Sequence, residues 1–208
     1  MELNLEPLNL PGVENKRPLV IAGPCSAETE EQVMETALQL AKNGVKIFRA
    51  GVWKPRTKPG GFEGHGAIAL PWMKRVKEET GMLVTTEVAT AKHVEQALEA
   101  GIDILWIGAR TSANPFAVQE VADALRGTKK MVYVKNPVNG EVDLWCGAIE
   151  RLMACGIDNI GLIHRGFSGF GAGALRNAPM WHLALEMRRR MPELPIICDP
   201  SHICGCRD

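Results

Sequence analysis

Short, continuously apolar runs alternate along the chain with longer stretches whose apolar positions recur at helical spacing. The runs Leu19–Ala22, Val45–Arg49, Leu83–Thr86, Ile104–Ile107, Met131–Lys135, Ile160–His164 and Ile196–Asp199 predict strands. Periodic segments over 29–43, 66–80, 90–100, 114–126, 142–155 and 176–190 predict the helices between them. Runs without polar alternation are what strands buried on both faces require, as in a parallel sheet built from βαβ units. The punctuation agrees. Gly44, Gly81, Gly101, Gly127 and Gly156 each stand where a helix must stop before the next strand. Asn114-Pro115 supplies an N-cap followed by a proline at the first helical position.

This α/β order, lacking the Gly-rich first turn of a dinucleotide fold, predicts a TIM (β/α)8 barrel with about seven of its eight units in this chain. An open doubly wound sheet is the alternative, and the strand count weighs against a small flavodoxin-like one. Residues 1–18 are expected to form an N-terminal extension or short hairpin, with Leu3, Leu5, Leu8 and Leu10 covering the barrel bottom. Residues 19–208 are then the barrel, truncated after strand seven. A faint echo links Gly101-Ile102-Asp103, leading to Arg110, with Gly156-Ile157-Asp158, leading to Arg165. Shared α/β geometry and true duplication both explain it.

Composition narrows the function. The 208 residues carry 24 Lys+Arg and 24 Asp+Glu, so no basic whole suits nucleic acid, and anion affinity must come from local clustering. No apolar run approaches a membrane span, and the acidic start does not read as a secretory signal. Six scattered cysteines fit reduced thiols in a cytoplasmic enzyme better than a disulfide framework.

Chemistry gathers at the predicted strand ends. Arg49 follows strand two, with Lys54, Arg56 and Lys58 in the loop WKPRTKPGG; Arg110 follows strand four, Lys135 ends strand five and Arg165 follows strand six. Each alone reads as a solvated or paired cation. Jointly they are costly unless an anion sits among them, and several suggest more than one anionic group. Gly60, Gly61, Gly64 and Gly66 would let the backbone approach a ligand near Lys54. Cys25 after strand one and His202 after strand seven offer a thiolate and an imidazole suited to a borderline divalent metal. Cys25 is equally readable as a small buried hydrophobe, and His202 as an acid/base or a phosphate contact. Cys204 and Cys206 read as incidental, and Cys146, Cys155 and Cys198 as packed in the helix–sheet layer.

The words GPCSAE, KPRTKPGGFEGHG, IGART, VKNP, IHRGF and DPSH, in this order from about Val20 to Asp208, closely resemble 3-deoxy-D-arabino-heptulosonate-7-phosphate (DAHP) synthases of the type I-beta branch. The resemblance implies condensation of phosphoenolpyruvate with erythrose 4-phosphate, releasing phosphate, at the entry to the shikimate pathway of aromatic amino acid biosynthesis. It implies that Arg49, Lys54, Arg110, Lys135 and Arg165 hold phosphoenolpyruvate, with backbone contacts from Gly108 and Ala109. Arg56 and Thr57 would take the erythrose 4-phosphate end, Glu87 would stand near phosphoenolpyruvate, and Lys54 would donate a proton. Cys25 and His202 would be two of four ligands to a divalent metal such as Mn, Fe, Zn or Co. The family's remaining glutamate and aspartate ligands belong beyond strand seven and have no counterpart in this sequence. Homo-oligomers are common in the family, and some relatives carry a chorismate mutase domain after the barrel. The competing readings are a 3-deoxy-D-manno-octulosonate-8-phosphate synthase, whose corresponding loop carries asparagine, and a non-catalytic phosphoenolpyruvate-binding fragment.

Overall fold

The computed structural model describes residues 18–56, 59–169 and 175–205. The expected hairpin over 1–18 lies outside these residues save Pro18. Seven strands stand where the apolar runs place them: β1 (Ile21–Ala22), β2 (Ile47–Arg49), β3 (Leu83–Val88), β4 (Ile104–Ile107), β5 (Met131–Lys135), β6 (Ile160–His164) and β7 (Ile196–Cys198). They alternate with α1 (Glu30–Lys42), α2 (Leu70–Thr80), α3 (Ala91–Glu99), α4 (Pro115–Ala124), α5 (Val142–Ala154) and α6 (Trp181–Arg190). A short α7 (Pro200–Cys204) follows β7. Among the described residues no helix is long and apolar enough to cross a membrane.

The chain divides after Trp106 into two compact units. In the first, β1 to β4 lie in chain order, with Ile21 opposite Ile47 and Ile47 opposite Leu83 in parallel pairs. In the second, β5, β6 and β7 do the same, with Lys135 opposite Ile163 and His164 opposite Cys198. One helix between each strand and its parallel neighbour is the order of a (β/α) barrel, with seven of its units present. Val84, Leu105, Ile107, Val132, Val134 and Leu162 are wholly buried, which is why their runs show no polar alternation.

Helix ends follow local chemistry. Thr29, Thr90 and Asn114 accept from the first-turn amides of α1, α3 and α4 through their side chains. All five helix-stopping glycines have positive φ. The same closing bonds run from Val45 to Leu40, from Ile102 to Ala97 and from Ile157 to Leu152, at 3.0–3.1 Å. The turn recurs at Gly44-Val45, so it does not depend on the Ile-Asp pair. The two aspartates also differ. Asp103 bonds Lys77 at 2.6 Å and the Val84 amide at 3.0 Å, whereas Asp158 is exposed.

Four expectations are corrected. The segment 66–80 opens as a 3-10 turn over Gly66–Ala69 before α2. The sixth helix starts at Trp181 instead of 176, because Pro179 disfavours helical backbone at Ala178, which pairs with Phe167 instead. Strand seven ends at Cys198 because Asp199 caps α7, and Cys198 is exposed rather than packed. Cys146 and Cys155 are buried as expected.

Two positions and one buried imidazole yield measurable consequences. A Cβ on Gly23, in the first motif, would sit 1.9 Å from the Arg49 carbonyl oxygen at φ +149°. Gly23→Ala should therefore lower the urea unfolding free energy by about 2 kcal/mol or more. Gly147 is inside α5 with nothing within 4 Å of an added methyl group, so Gly147→Ala should raise it by roughly 1 kcal/mol. His164 is buried against Phe167 and Trp181, and neither ring nitrogen makes a well-formed hydrogen bond. Burial above all, with the charge of Arg165, outweighs the nearby Pro179 backbone and holds this imidazole below its ordinary value of 6.5. The unfolded chain thus takes up the proton first, and the stability present above about pH 6.5 is lost as pH falls toward the folded value. Urea unfolding at about pH 7.5 and 5.5 should show this loss in the wild type and a smaller one in His164→Leu.

Candidate active site

In the first unit the site is assembled by two short extensions beyond the strands. Ser26 bridges Gly51 in parallel, and the Ala27 amide donates to Gly51 O at 3.0 Å. Thr86 of β3 donates to Ala50 O at 2.8 Å and accepts from the Val52 amide. These bonds fix Cys25 beside the chain that carries Lys54. A Cβ on Gly51 would meet Cys25 O and Lys54 Cδ, each at 2.9 Å. Glycine there lets the lysine stem fold back, and Lys54 Nζ donates to Cys25 O at 2.8 Å and to Sγ at 3.3 Å. Burial alone would raise the Cys25 thiol pKa, but the charges and hydrogen bonds of Lys54 and Arg49 outweigh it, and the thiol is held below its ordinary value.

Arg49 ends β2 and is half-buried, while Arg56 is exposed and donates to Phe62 O at 2.7 Å. Glu87 is buried in β3 and accepts from Trp106 Nε1 at 2.8 Å, a charge-assisted bond that fixes the carboxylate. A cavity of 350 Å³ opens here, lined by Lys54, Arg56, Glu63 and Glu87, with Trp53 and His93 as its aromatic wall. Thr57 lies outside the described residues. The glycine-rich return serves the chain itself. Gly64 packs against Val52 O, Gly66 lies against the Trp53 indole, and Glu63 O accepts from the Lys54 amide at 2.8 Å.

The second unit holds its cations through a polar network. Lys135, the last residue of β5, is buried with Nζ 3.2 Å from Asp199 Oδ2. Asp199 also accepts from Ser201 Oγ at 2.8 Å and faces His202 Nδ1 at 2.8 Å. Burial pushes the Asp199 carboxyl up, but His202 and Lys135 outweigh it and hold it well below the usual carboxylate range. Asp199 favours a protonated His202, yet burial and the charges of Lys135 and Arg165 prevail, and the imidazole is held below its ordinary value. Buried Arg165 donates to Asn177 Oδ1 at 3.0 Å, and Asn177 Nδ2 donates to His202 O at 2.5 Å. Asn136, fully buried in the fourth motif, accepts from the Arg165 amide at 2.7 Å. Gly108 and Ala109 lie in a buried turn whose carbonyls accept from Ser112, and Arg110 is exposed.

The first unit thus holds Cys25, Arg49, Lys54, Arg56 and Glu87, and the second Gly108, Ala109, Arg110, Lys135, Arg165 and His202. Sequence reasoning missed Gly51, Trp53, His93, Trp106, Asn136, Asn177 and the role of Asp199 as the counter-charge of Lys135. Asn136 and Asp199 stood inside the motifs VKNP and DPSH, and the others carried no signal of their own. Cys25 and His202 fit a divalent metal in kind: a thiol biased toward thiolate, and an imidazole whose Nδ1 faces a carboxylate and leaves Nε2 for an ion. In number they fall short. Among the described residues no group of three His, Cys, Asp or Glu side chains could hold an ion.

Comparison with known proteins follows the same lines. The chain is 35% identical over 189 residues to a phospho-2-dehydro-3-deoxyheptonate aldolase of Thermotoga maritima, covering 91% of this chain and 54% of that protein. The crystal structure of the Thermotoga maritima aldolase, also named DAHP synthase, superposes with a TM-score of 0.77 at 33% identity, over 90% of this chain and 52% of that one. A 2-dehydro-3-deoxyphosphooctonate aldolase of Geotalea daltonii is 31% identical, over 89% of this chain and 68% of that protein. The chain spans about half the length of the Thermotoga relative. The family model described as the DAHP synthetase I family matches residues 10–208, and with the barrel order and the strand-end motifs in register, the chain belongs to that family.

Proposed function

We propose that the protein condenses phosphoenolpyruvate with erythrose 4-phosphate and water to give DAHP and inorganic phosphate. The observation that carries this reading is Lys54, an ammonium folded over Gly51 onto Cys25 and lining a cavity with Arg56 and Glu87. Carbon three of phosphoenolpyruvate forms the new bond to the aldehyde carbon, and the aldehyde oxygen takes a proton. Water adds at carbon two, and phosphate leaves with its bridging oxygen. By their place in the family's motifs, Arg49, Lys54, Arg110, Lys135 and Arg165 would grip phosphoenolpyruvate, with Gly108 and Ala109 offering amides to its phosphate. Arg56 and Thr57 would hold the phosphate of the aldose.

The division of labour follows from charge. Two anionic substrates repel, and fixed guanidinium and ammonium groups offset that repulsion while orienting both. Lys54 would donate the proton to the developing alkoxide, since it lines the cavity and its Nζ is held in place by Cys25 O and Sγ. Asn136 accepts from the Arg165 amide and Asn177 from its guanidinium, which fixes the direction in which that side chain is presented. Cys25 and His202 would be two of the donors to a divalent metal, which when bound polarises a carbonyl oxygen.

A phosphate-release assay tests the reading. Phosphoenolpyruvate with erythrose 4-phosphate should release phosphate, and Lys54→Met should lower turnover by about 100-fold or more while the fold is kept. Preference for arabinose 5-phosphate would assign the octulosonate reaction instead. Phosphoenolpyruvate binding without turnover would make the chain a binding module, and normal turnover in Lys54→Met would remove Lys54 as the proton donor.

A further inference from the structure

Histidine lining a cavity of charged side chains invites a role in proton transfer, but the surroundings of His93 point elsewhere. His93 sits in the first turn of α3, where its amide donates to the capping Thr90 Oγ1 at 3.3 Å. Its Nδ1 accepts from the Ala89 amide at 3.3 Å, so that nitrogen is engaged in closing the turn between β3 and α3. Its ring lies flat on the Trp53 indole, with centroids 4.2 Å apart and planes 9° from parallel. Trp53 immediately precedes Lys54.

The same segment is also constrained by its own backbone. The Lys54 amide donates to Glu63 O at 2.8 Å, and the Gly66 amide donates to Val52 O at 2.9 Å. A Cβ on Gly64 would fall 2.0 Å from Val52 O, and one on Gly66 3.0 Å from Trp53 Nε1. Residues 52–54 are therefore held both by a glycine-rich return and, through Trp53, by an imidazole. The imidazole stands in the helix that directly follows β3, whose last residues Glu87 and Val88 line the cavity together with Ala89.

We propose that His93 is a positioning residue: its ring is a flat spacer that, through Trp53, sets the height of Lys54 over the cavity relative to Glu87. Stacked ring pairs contribute about 0.5–1.5 kcal/mol beyond the area they bury. That is enough to bias a loop between an aligned and a misaligned state by several-fold. A loop so biased lowers turnover more than it weakens substrate binding, since proton donation depends on the position of Nζ whereas charge attraction does not.

The inference rests on the proposed function for its catalytic part, but its first test does not. Amide hydrogen exchange should be measured across residues 52–66 in the wild type, His93→Ala and His93→Phe. Exchange at the Lys54 and Gly66 amides should quicken several-fold in His93→Ala and return to near the wild-type rate in His93→Phe, which keeps the stack and lacks the nitrogens. Unchanged exchange in His93→Ala overturns the inference whatever the chain catalyses. In the phosphate-release assay, His93→Ala should lose about 10-fold in kcat with KM for phosphoenolpyruvate changed less than about 3-fold. His93→Phe should recover most of that loss. Full loss in His93→Phe with wild-type exchange would assign the imidazole a chemical role and overturn the spacer. Absence of turnover in the wild type, with exchange behaving as stated, would instead count against the proposed function alone.

Discussion

Ammonium and guanidinium groups lose hydration at the buried ends of parallel strands, and both units are organised around that cost. Lys54 meets it by donating to Cys25 O and Sγ, and the nearby charge draws the thiol toward thiolate. Lys135 meets it with Asp199, whose carboxyl is held ionised by Lys135 and His202 together. Arg165 is held by side-chain amides, Asn177 at the guanidinium and Asn136 at its backbone.

Backbone requirements follow from the same need. Lys54 reaches Cys25 only because Gly51 has no side chain, and Gly23 permits the first extension to pass close to Arg49. The Gly64–Gly66 return then closes over Val52 and Trp53, while His93 supports Trp53 from α3. The (β/α) architecture presents the strand ends, and these contacts decide where each charged atom sits. Glu87 shows the same logic on the acidic side, since the Trp106 indole fixes the carboxylate that lines the cavity.

Strands were legible because burial on both faces leaves a continuous apolar run, and helix stops because Gly44, Gly81, Gly101, Gly127 and Gly156 all need positive φ. Cations at strand ends were legible for a related reason: Lys135 and Arg165 sit directly at the ends of such runs. What the pattern hid was pairing across elements. Nothing in the local sequence says that Asn177 spans from Arg165 to His202, or that His93 stacks on a tryptophan forty residues earlier. The glycines after Lys54 were read for their freedom to approach a ligand, while at Gly64 and Gly66 that freedom serves contact with the chain itself. Helix α7 was hidden because DPSH is too short to show a period, although Asp199 and Pro200 are a sound N-cap and first turn.

The central claim is that these strand-end cations are held ready for an anionic ligand, and binding linkage tests it most directly. Unfolding by urea should be followed with increasing phosphoenolpyruvate at constant ionic strength. A ligand that binds only the folded chain should raise its stability with the logarithm of concentration, by about 2.7 kcal/mol at a hundred times the dissociation constant. Phosphoenolpyruvate should produce that rise, and a much smaller one is expected in Arg165→Leu or for chloride at equal ionic strength. No rise, or an equal rise with chloride, would contradict it.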